Sequence, residues 1–233
     1  MKSSNLKYLV PNGISFLSLT CGLVSILAAS TGRIQLGAAL ILASYVLDLF
    51  DGAMARRLNA GTAFGLQLDS LVDMVSLGVA PMVTVFFHLQ AKGIGGVWIW
   101  PIVMLIPLAG AFRLARFNLL PAKEESRDSL GLTISTGGST PALVVLTDLA
   151  GKGDLVPDWL YLPLVIIMAL LMVSTIRFPP FKWLFQQGKI TYALVVSAGL
   201  CIVFLGFVTS WFIYNWGYLG VSLARAGYRS WYG

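Results

Sequence analysis

The stretch LDLFDGAMARRLNAGTAFGLQLDSLVDMVSLGVAP, residues 47–81, sets four acidic residues among apolar ones. Asp48 and Asp51 are three positions apart and Asp69 and Asp73 are four apart, so on helices each pair projects from one face. An ionised carboxylate in a segment fit for hydrocarbon is unfavourable unless a partner binds it. The stretch therefore predicts two helices that present four carboxylates to a common ligand.

The composition of the whole chain is that of an integral membrane protein. Of its 233 residues 57% are hydrophobic and 11% are charged, and the mean hydropathy is +0.81. Apolar runs of about 20 residues, the length that crosses a bilayer as a helix, recur along nearly the whole sequence. Because they leave no room for a soluble domain of ~100 residues, we expect an all-α, polytopic membrane helix bundle.

The hydropathy pattern predicts seven spans, of which the fifth is short and polar. They are residues 12–31, 34–57, 64–90, 96–119, 133–151, 158–177 and 189–213. The first span has no clear cleavage site and is interpreted as a retained helix rather than a signal peptide. The tail from residue 211 is rich in Trp and Tyr, which predicts that it lies along the membrane interface.

The distribution of basic residues predicts the orientation of these spans. Eleven of the sixteen Lys and Arg residues fall on the N-terminal side, which places the N-terminus and the loops after spans two, four and six in the cytoplasm. The net charge of +6 is scattered between spans and forms no basic stripe, so membrane orientation explains it better than nucleic-acid binding. Cys21 and Cys201 lie in apolar runs, which argues against a disulfide or a cysteine metal site.

The four aspartates lie near the cytoplasmic ends of spans two and three, where antiparallel packing brings them to one depth. Carboxylates this close repel each other and cannot all stay ionised without cations between them. Such oxygen ligands suit Mg²⁺, Mn²⁺ or Ca²⁺, and two ions balance four negative charges. Spacing alone leaves catalysis, a cation transport path and structural ion pairing open.

Small and basic residues accompany the acids along the same stretch. Gly52, Ala55 and Gly65 lie one helical turn from an aspartate, where a small side chain lets a flat group or a second backbone come close. Arg56 can neutralise a carboxylate or meet a phosphate. A metal cluster beside an arginine at the membrane surface suits a ligand that carries phosphate.

Eight residues of this stretch fit, without a gap, the D-x2-D-G-x2-A-R-x8-G-x3-D-x3-D signature, and the chain resembles the CDP-alcohol phosphotransferase family. They are Asp48, Asp51, Gly52, Ala55, Arg56, Gly65, Asp69 and Asp73. The resemblance implies a six-helix membrane core, usually dimeric, in which a CDP-linked donor and an alcohol acceptor meet at a cytoplasmic two-metal site. It implies Mg²⁺ or Mn²⁺ as the two divalent cations.

The same resemblance implies a role for each residue of the signature. Asp48, Asp51 and Asp69 would bind the metals. Asp73 would be a metal neighbour and the general base. The residues that would shape the cytidine pocket are Gly52, Ala55 and Gly65.

Further stretches are similar to one branch of the family, the membrane-embedded bacterial and archaeal phosphatidylserine synthases. They are residues 10–26, 76–81, 112–118 and 171–182. The branch implies CDP-diacylglycerol and L-serine as substrates, membrane lipids as surroundings and a prokaryotic cell membrane. Glycerol 3-phosphate, inositol phosphate or another small alcohol remains an alternative acceptor. Arg113 and Arg116, with Asn118 beside them, suit a phosphate or the serine carboxylate, although positive-inside bias also explains the two arginines.

The chain departs from the branch in GLTISTGGSTPAL, residues 131–143, where GLP and a second proline are common. The hydroxyl residues there either line an acceptor pocket or bond to their own helix. The resemblance fades beyond residue 185. We therefore expect a catalytic core in residues 1–185 and, in residues 186–233, an additional membrane helix with an interfacial tail, giving one or two C-terminal helices.

Two isolated polar residues are given no functional role by the sequence. His88, the only histidine, ends the third span and is interpreted as an interfacial side chain. Asp148 is predicted to reach the membrane surface or to pair with Lys152.

Overall fold

The computed structural model describes residues 6–58, 60–119, 129–150, 157–178 and 206–232. Those ranges contain eight α-helices and two very short strands, which confirms the prediction of an all-α bundle. The helices are α1 (Leu6–Ser30), α2 (Ile34–Arg57), α3 (Ala63–Asp73), α4 (Ala80–Ala91), α5 (Ile99–Asn118), α6 (Ile134–Leu149), α7 (Tyr161–Val173) and α8 (Phe207–Tyr232). The strands, β1 (Ser129–Leu130) and β2 (Arg177–Phe178), pair antiparallel.

Four helical segments of the described ranges are long and apolar enough to cross a membrane. They are Tyr8–Ser30, Ile34–Arg57, Ala63–Ala91 and Ile99–Asn118. A shorter apolar helical segment covers Asp158–Val173. Their length and composition fit a membrane protein, as the hydropathy predicts.

Two predicted span ends are wrong. The hydropathy pattern predicts that the sixth span reaches residue 177, but α7 ends at Val173 because Ser174 is extended and Arg177 already pairs in β2. It predicts that the seventh span ends at residue 213, but α8 runs from Phe207 to Tyr232. Most of that predicted span, residues 189–205, lies outside the described residues, as do Cys201 and Lys152.

A π-helical turn, Met74–Val79, joins α3 to α4 directly after the last aspartate. Pro81 has no N–H to donate to the carbonyl of Leu77, so the ordinary helical hydrogen bond is impossible there. Gly138 of α6 packs against that carbonyl so closely that an added Cβ would overlap it. Likewise, an added Cβ at Gly22 of α1 would lie 2.7 Å from the Ser76 Cα. Glycines therefore allow α1 and α6 to press against the turn.

Helix α6 occupies the interior of the bundle. Residues on all its faces are buried, and it contacts α2, α4, α5, α7 and α8. Neighbouring protein can satisfy the polar groups that would be unfavourable against lipid. The short, polar fifth span thus corresponds to the central helix, and it links the two ends of the bundle.

Candidate active site

Three of the predicted carboxylates converge at one end of the bundle. Asp48 and Asp51 lie in the last turns of α2, and Asp69 lies in α3, which begins after a short connection. Each offers one oxygen atom, and these three atoms lie within 4.8 Å of one another. The pair on α2 and the first aspartate of α3 therefore meet, as the spacing predicts.

Asp73 completes what we call the aspartate cluster, Asp48, Asp51, Asp69 and Asp73. Its side chain is only 8% exposed and forms a hydrogen bond with the Asp48 carboxyl group. Two carboxyl groups can share a hydrogen bond only through a proton. The fourth aspartate thus lies beside the three converging carboxylates rather than among them.

Two serine hydroxyls hold members of the cluster from other helices. Ser15 of α1 donates a hydrogen bond to Asp51 Oδ2 at 2.7 Å. Ser135 of α6 donates one to Asp48 Oδ2 at 3.2 Å. No local sequence pattern connects Ser15 with its partner, because the two residues are 36 positions apart.

Arg113 is a buried cation that partly offsets the negative charge of the aspartate cluster. Its side chain is 7% exposed, and its guanidinium lies within electrostatic range of Asp73 and Asp48. Nη2 donates to Ser129 Oγ at 3.2 Å, whereas Nε has no hydrogen-bond partner among the described residues. A buried guanidinium with a spare donor suits an anionic ligand.

The structure separates Arg116 from the aspartate cluster. Arg116 donates to the carbonyls of Val173, Ser174 and Leu130 at 3.3, 3.2 and 2.7 Å. It thereby ties the end of α5 to the end of α7 and to β1. Backbone carbonyls therefore occupy the Arg116 guanidinium, whereas Arg113 keeps a spare donor.

Asn118 contacts the helix of the third aspartate rather than the cluster itself. Its Nδ2 donates to Ser70 Oγ at 3.2 Å, and Ser70 follows Asp69 directly in α3. This bond connects the end of α5 to α3.

The small residues that were predicted to shape a pocket leave room beside the aspartate cluster. An added Cβ at Gly52 would lie 3.3 Å from Arg56 Nη1, so Arg56 folds back over this glycine. An added Cβ at Gly65 would lie 3.6 Å from Asn12 Oδ1 of α1. Ala55 lies one turn after Asp51 and is half-buried. Asn12, for which the sequence predicts no role, therefore borders the space beside Gly65.

The hydroxyl residues at the start of α6 divide into two groups. Thr133 caps the helix by accepting from the Thr136 amide at 3.3 Å, and Ser139 and Thr140 donate to the Thr136 carbonyl. These groups bond within their own helix. Ser135 instead reaches the aspartate cluster.

A second polar cluster lies at the opposite end of the bundle. His88 Nε2 lies 2.9 Å from Asp148 Oδ2, and the Tyr161 hydroxyl donates to the same oxygen at 3.2 Å. Lys92 Nζ lies 2.6 Å from both Asp148 and Asp158. We call these five residues the histidine network. The sequence predicts an interfacial side chain for His88, and the structure shows that this side chain is buried against its partners, at 2% exposed.

The aspartate cluster fits a divalent metal by the chemistry of its donors. Its converging atoms are carboxylate oxygens, which hard cations such as Mg²⁺ and Mn²⁺ prefer. Within the described part of the chain, no lysine or arginine forms an ion pair with any of the four aspartates. Asp48, Asp51 and Asp69 are thus the residues that would hold such an ion.

Comparison with known proteins agrees with this site. The family model described as CDP-alcohol phosphatidyltransferase matches residues 8–176. A CDP-diacylglycerol–serine O-phosphatidyltransferase of Helicobacter pylori is 30% identical over 229 residues, which cover 93% of this chain and 94% of that protein. Proteins of the same name from Methanocaldococcus jannaschii and Bacillus subtilis are each 30% identical, covering 83% and 74% of this chain and 82% and 91% of theirs.

The fold and the site together define an all-α membrane protein with an acidic cluster buried at one end of its bundle. The match spans that cluster and every helix from α1 to α7. The chain belongs to the CDP-alcohol phosphatidyltransferase family, as the signature of eight residues predicts.

Proposed function

We propose that the protein transfers the phosphatidyl group of CDP-diacylglycerol to the hydroxyl of L-serine, giving phosphatidylserine and CMP. One observation carries the reaction class: three carboxylates converge within 4.8 Å and a fourth is hydrogen-bonded beside them. The choice of serine is supported by the names of relatives that align with most of the chain.

The cations of this proposal are two Mg²⁺ or Mn²⁺ ions held by Asp48, Asp51 and Asp69, with Asp73 next to them. When bound, such ions withdraw charge from a pyrophosphate and stabilise a leaving phosphate group. Ser15 and Ser135 fix two of the ligands from outside the cluster. Gly52, Ala55 and Gly65 leave room for the cytidine, with Arg56 at its edge.

Asp73 is the proposed general base. The serine hydroxyl has a pKa far above neutrality and needs a base within hydrogen-bond reach. As its oxygen forms a bond to the lipid-side phosphorus, the bond from that phosphorus to CMP breaks and the serine proton passes to Asp73. Burial of Asp73 keeps competing water away from this step.

Arg113 is the proposed partner of the serine carboxylate. It is buried at the cluster end with a spare Nε donor, whereas Arg116 is engaged by three carbonyls. A buried guanidinium beside the cluster suits an acceptor that carries a carboxylate. A phosphorylated acceptor would need further basic groups, which makes glycerol 3-phosphate and inositol phosphate weaker alternatives. Asn118 supports this end by holding α3.

The proposal includes an orientation and an assembly. The aspartate cluster would face the cytoplasm, on the side of the positive excess, in a multi-pass protein of a prokaryotic cell membrane. The acyl chains of the donor would enter from the surrounding lipid. Residues 1–185 would form the catalytic core and residues 186–233 an accessory part, and we expect a homodimer as in the family.

The test uses the purified full chain in detergent with CDP-diacylglycerol and Mn²⁺ or Mg²⁺. CMP release is followed with L-serine, glycerol 3-phosphate, inositol phosphate or no acceptor, and the lipid product is identified by mass spectrometry. Serine-dependent release that a chelator stops is the expected result. Release only with another alcohol would overturn the acceptor. Absence of release with every acceptor would favour a cation transporter over an enzyme.

A further inference from the structure

Ser135 differs from the later hydroxyl residues of α6 in the hydrogen-bond acceptor that its hydroxyl can reach. Thr140 and Thr147 donate to the carbonyl four positions earlier in the helix, both at 2.6 Å. The residue four positions before Ser135 is Gly131, which precedes the helix, because α6 begins at Ile134. Without a helical carbonyl behind it, the Ser135 hydroxyl extends across to α2 and bonds to Asp48.

The start of α6 is fixed beside this bond. The Thr133 side chain caps the helix and accepts from the Thr136 amide, which sets the direction in which Ser135 projects. The Tyr45 hydroxyl lies near Thr136, and Tyr45 is one turn before Asp48 on α2. Two neighbouring contacts therefore hold the same turns of α2 and α6 together.

Helix α8 supports the same place from outside. Its Trp211 ring lies 5.5 Å from the Tyr45 ring, and Asn215 Nδ2 donates to Thr140 Oγ1 at 2.9 Å. The C-terminal helix thus packs on the two helices that the Ser135 bond joins.

We infer that Ser135 is a positioning residue, which holds the Asp48 carboxylate beside those of Asp51 and Asp69. This inference rests on the proposed function, in which these carboxylates bind the metals. A neutral hydroxyl orients Asp48 without altering the charge of the cluster. Groups that orient metal ligands in this way typically change metal affinity 10- to 100-fold when they are removed.

The competing role for Ser135 is contact with the acceptor alcohol. The two roles predict that removal of the hydroxyl changes different measured quantities. A positioning residue alters the affinity for metal in the absence of any substrate. A residue that touches serine raises the KM for serine and leaves the metal affinity as it is.

The experiment measures Mn²⁺ binding to the purified full chain in detergent, without substrates, from the loss of the free Mn²⁺ electron paramagnetic resonance signal. The variants are Ser135→Ala, Ser135→Thr, which keeps the hydroxyl, and Asp48→Asn as the reference for ligand loss. Ser139→Ala is the matched control, since Ser139 lies one turn further along α6 and bonds to its own helix. Circular dichroism confirms that each variant is folded.

We expect Ser135→Ala to raise the Kd for Mn²⁺ about 10-fold, with wild-type values for Ser135→Thr and Ser139→Ala. A wild-type Kd for Ser135→Ala would overturn the inference and leave the proposed function standing, as would a change confined to the KM for serine. An equal loss in Ser139→Ala would also overturn it. If the wild-type chain binds no Mn²⁺, the metal site of the proposed function fails together with the inference.

Discussion

The two ends of the bundle each hold a set of ionisable side chains, but among the described residues only one end pairs its acids in salt bridges. In the histidine network, Asp148 meets His88, Lys92 and Tyr161, and Lys92 also meets Asp158. In the aspartate cluster, three carboxylates converge and Asp73 lies beside them. The described residues supply no ion pair to these acids, and the buried Arg113 acts on them only through longer-range electrostatics.

This difference shows how a structural cluster can be told from a functional one. A buried charge that serves stability is paired, because an unpaired one is strongly unfavourable. A group of buried acids without salt-bridge partners is instead suited to a bound cation. The two ends should therefore respond differently to substitution: the cluster through activity and metal affinity, the network through unfolding.

The largest effect is expected at Asp73. Asp73→Asn keeps the size of the side chain but removes the base, so turnover should fall about 1,000-fold, within the range that general bases contribute. Binding of CDP-diacylglycerol should be largely retained. CMP release and donor binding measure the two quantities, and an active Asp73→Asn enzyme would remove this residue as the base.

The second-largest effect is expected in the histidine network, where it concerns stability. Asp148→Asn removes the charge that meets His88 and Lys92, and should reduce the free energy of unfolding by about 3 kcal/mol. The Kd for Mn²⁺ should stay unchanged. Unfolding in a denaturing detergent gives the first quantity. A loss of Mn²⁺ affinity without a loss of stability would contradict the division between the two ends.

Asp69→Asn should weaken metal dependence and turnover together. Loss of a direct ligand should raise the Mn²⁺ concentration needed for half-maximal activity by about 100-fold, at least as much as loss of an orienting group. A titration of CMP release with Mn²⁺ measures this shift. Normal activity at low Mn²⁺ would show that Asp69 is not a ligand.

A substitution between the two ends tests how much the close packing of α6 against the π-helical turn contributes to stability. In Gly138→Ala the new methyl group meets the Leu77 carbonyl, so unfolding should become easier by about 2 kcal/mol. Gly217→Ala in α8 is the control, because an added Cβ there meets no atom within 4 Å. Equal stability of the two variants would show that the close contact is unimportant.

The smallest effect concerns Lys92. Although burial opposes it, hydrogen bonds with Asp148 and Asp158 raise the pKa of Lys92 above its ordinary value. Its contribution, about 1 kcal/mol, is therefore complete below the unfolded pKa of about 10.4 and is lost only as pH rises through the folded pKa. The difference in unfolding free energy between wild type and Lys92→Met should be constant from pH 7 to 10. A decline within that window would contradict the raised pKa.

Much of the aspartate cluster could be predicted because its information is local. Spacings of three and four place two carboxylates on one helical face, and a short connection makes the two helices neighbours. The contacts of Ser15 with Asp51 and of His88 with Asp148 could not be predicted, since they join residues 36 and 60 positions apart. Nothing in the local sequence marks such partners.

The hydroxyl residues of α6 are an intermediate case. The sequence allows two roles for them, contact with an acceptor or a hydrogen bond to their own helix. Choosing between these roles requires knowing at which residue the helix begins. A Thr at position 133 is a recognisable cap, and it would have indicated that Ser135 lies in the first turn. The end of α7 could not be predicted because the pairing of β2 with β1 joins residues that are far apart in the sequence.

The interior position of α6 has a consequence for how the protein is made. This 16-residue helix carries threonines, serines and paired glycines, and it is buried by α2, α4, α5, α7 and α8. A segment of this kind has little tendency to leave the translocation machinery for lipid by itself. We therefore expect its insertion to depend on helices made before and after it, so that the aspartate cluster is completed only late in biogenesis.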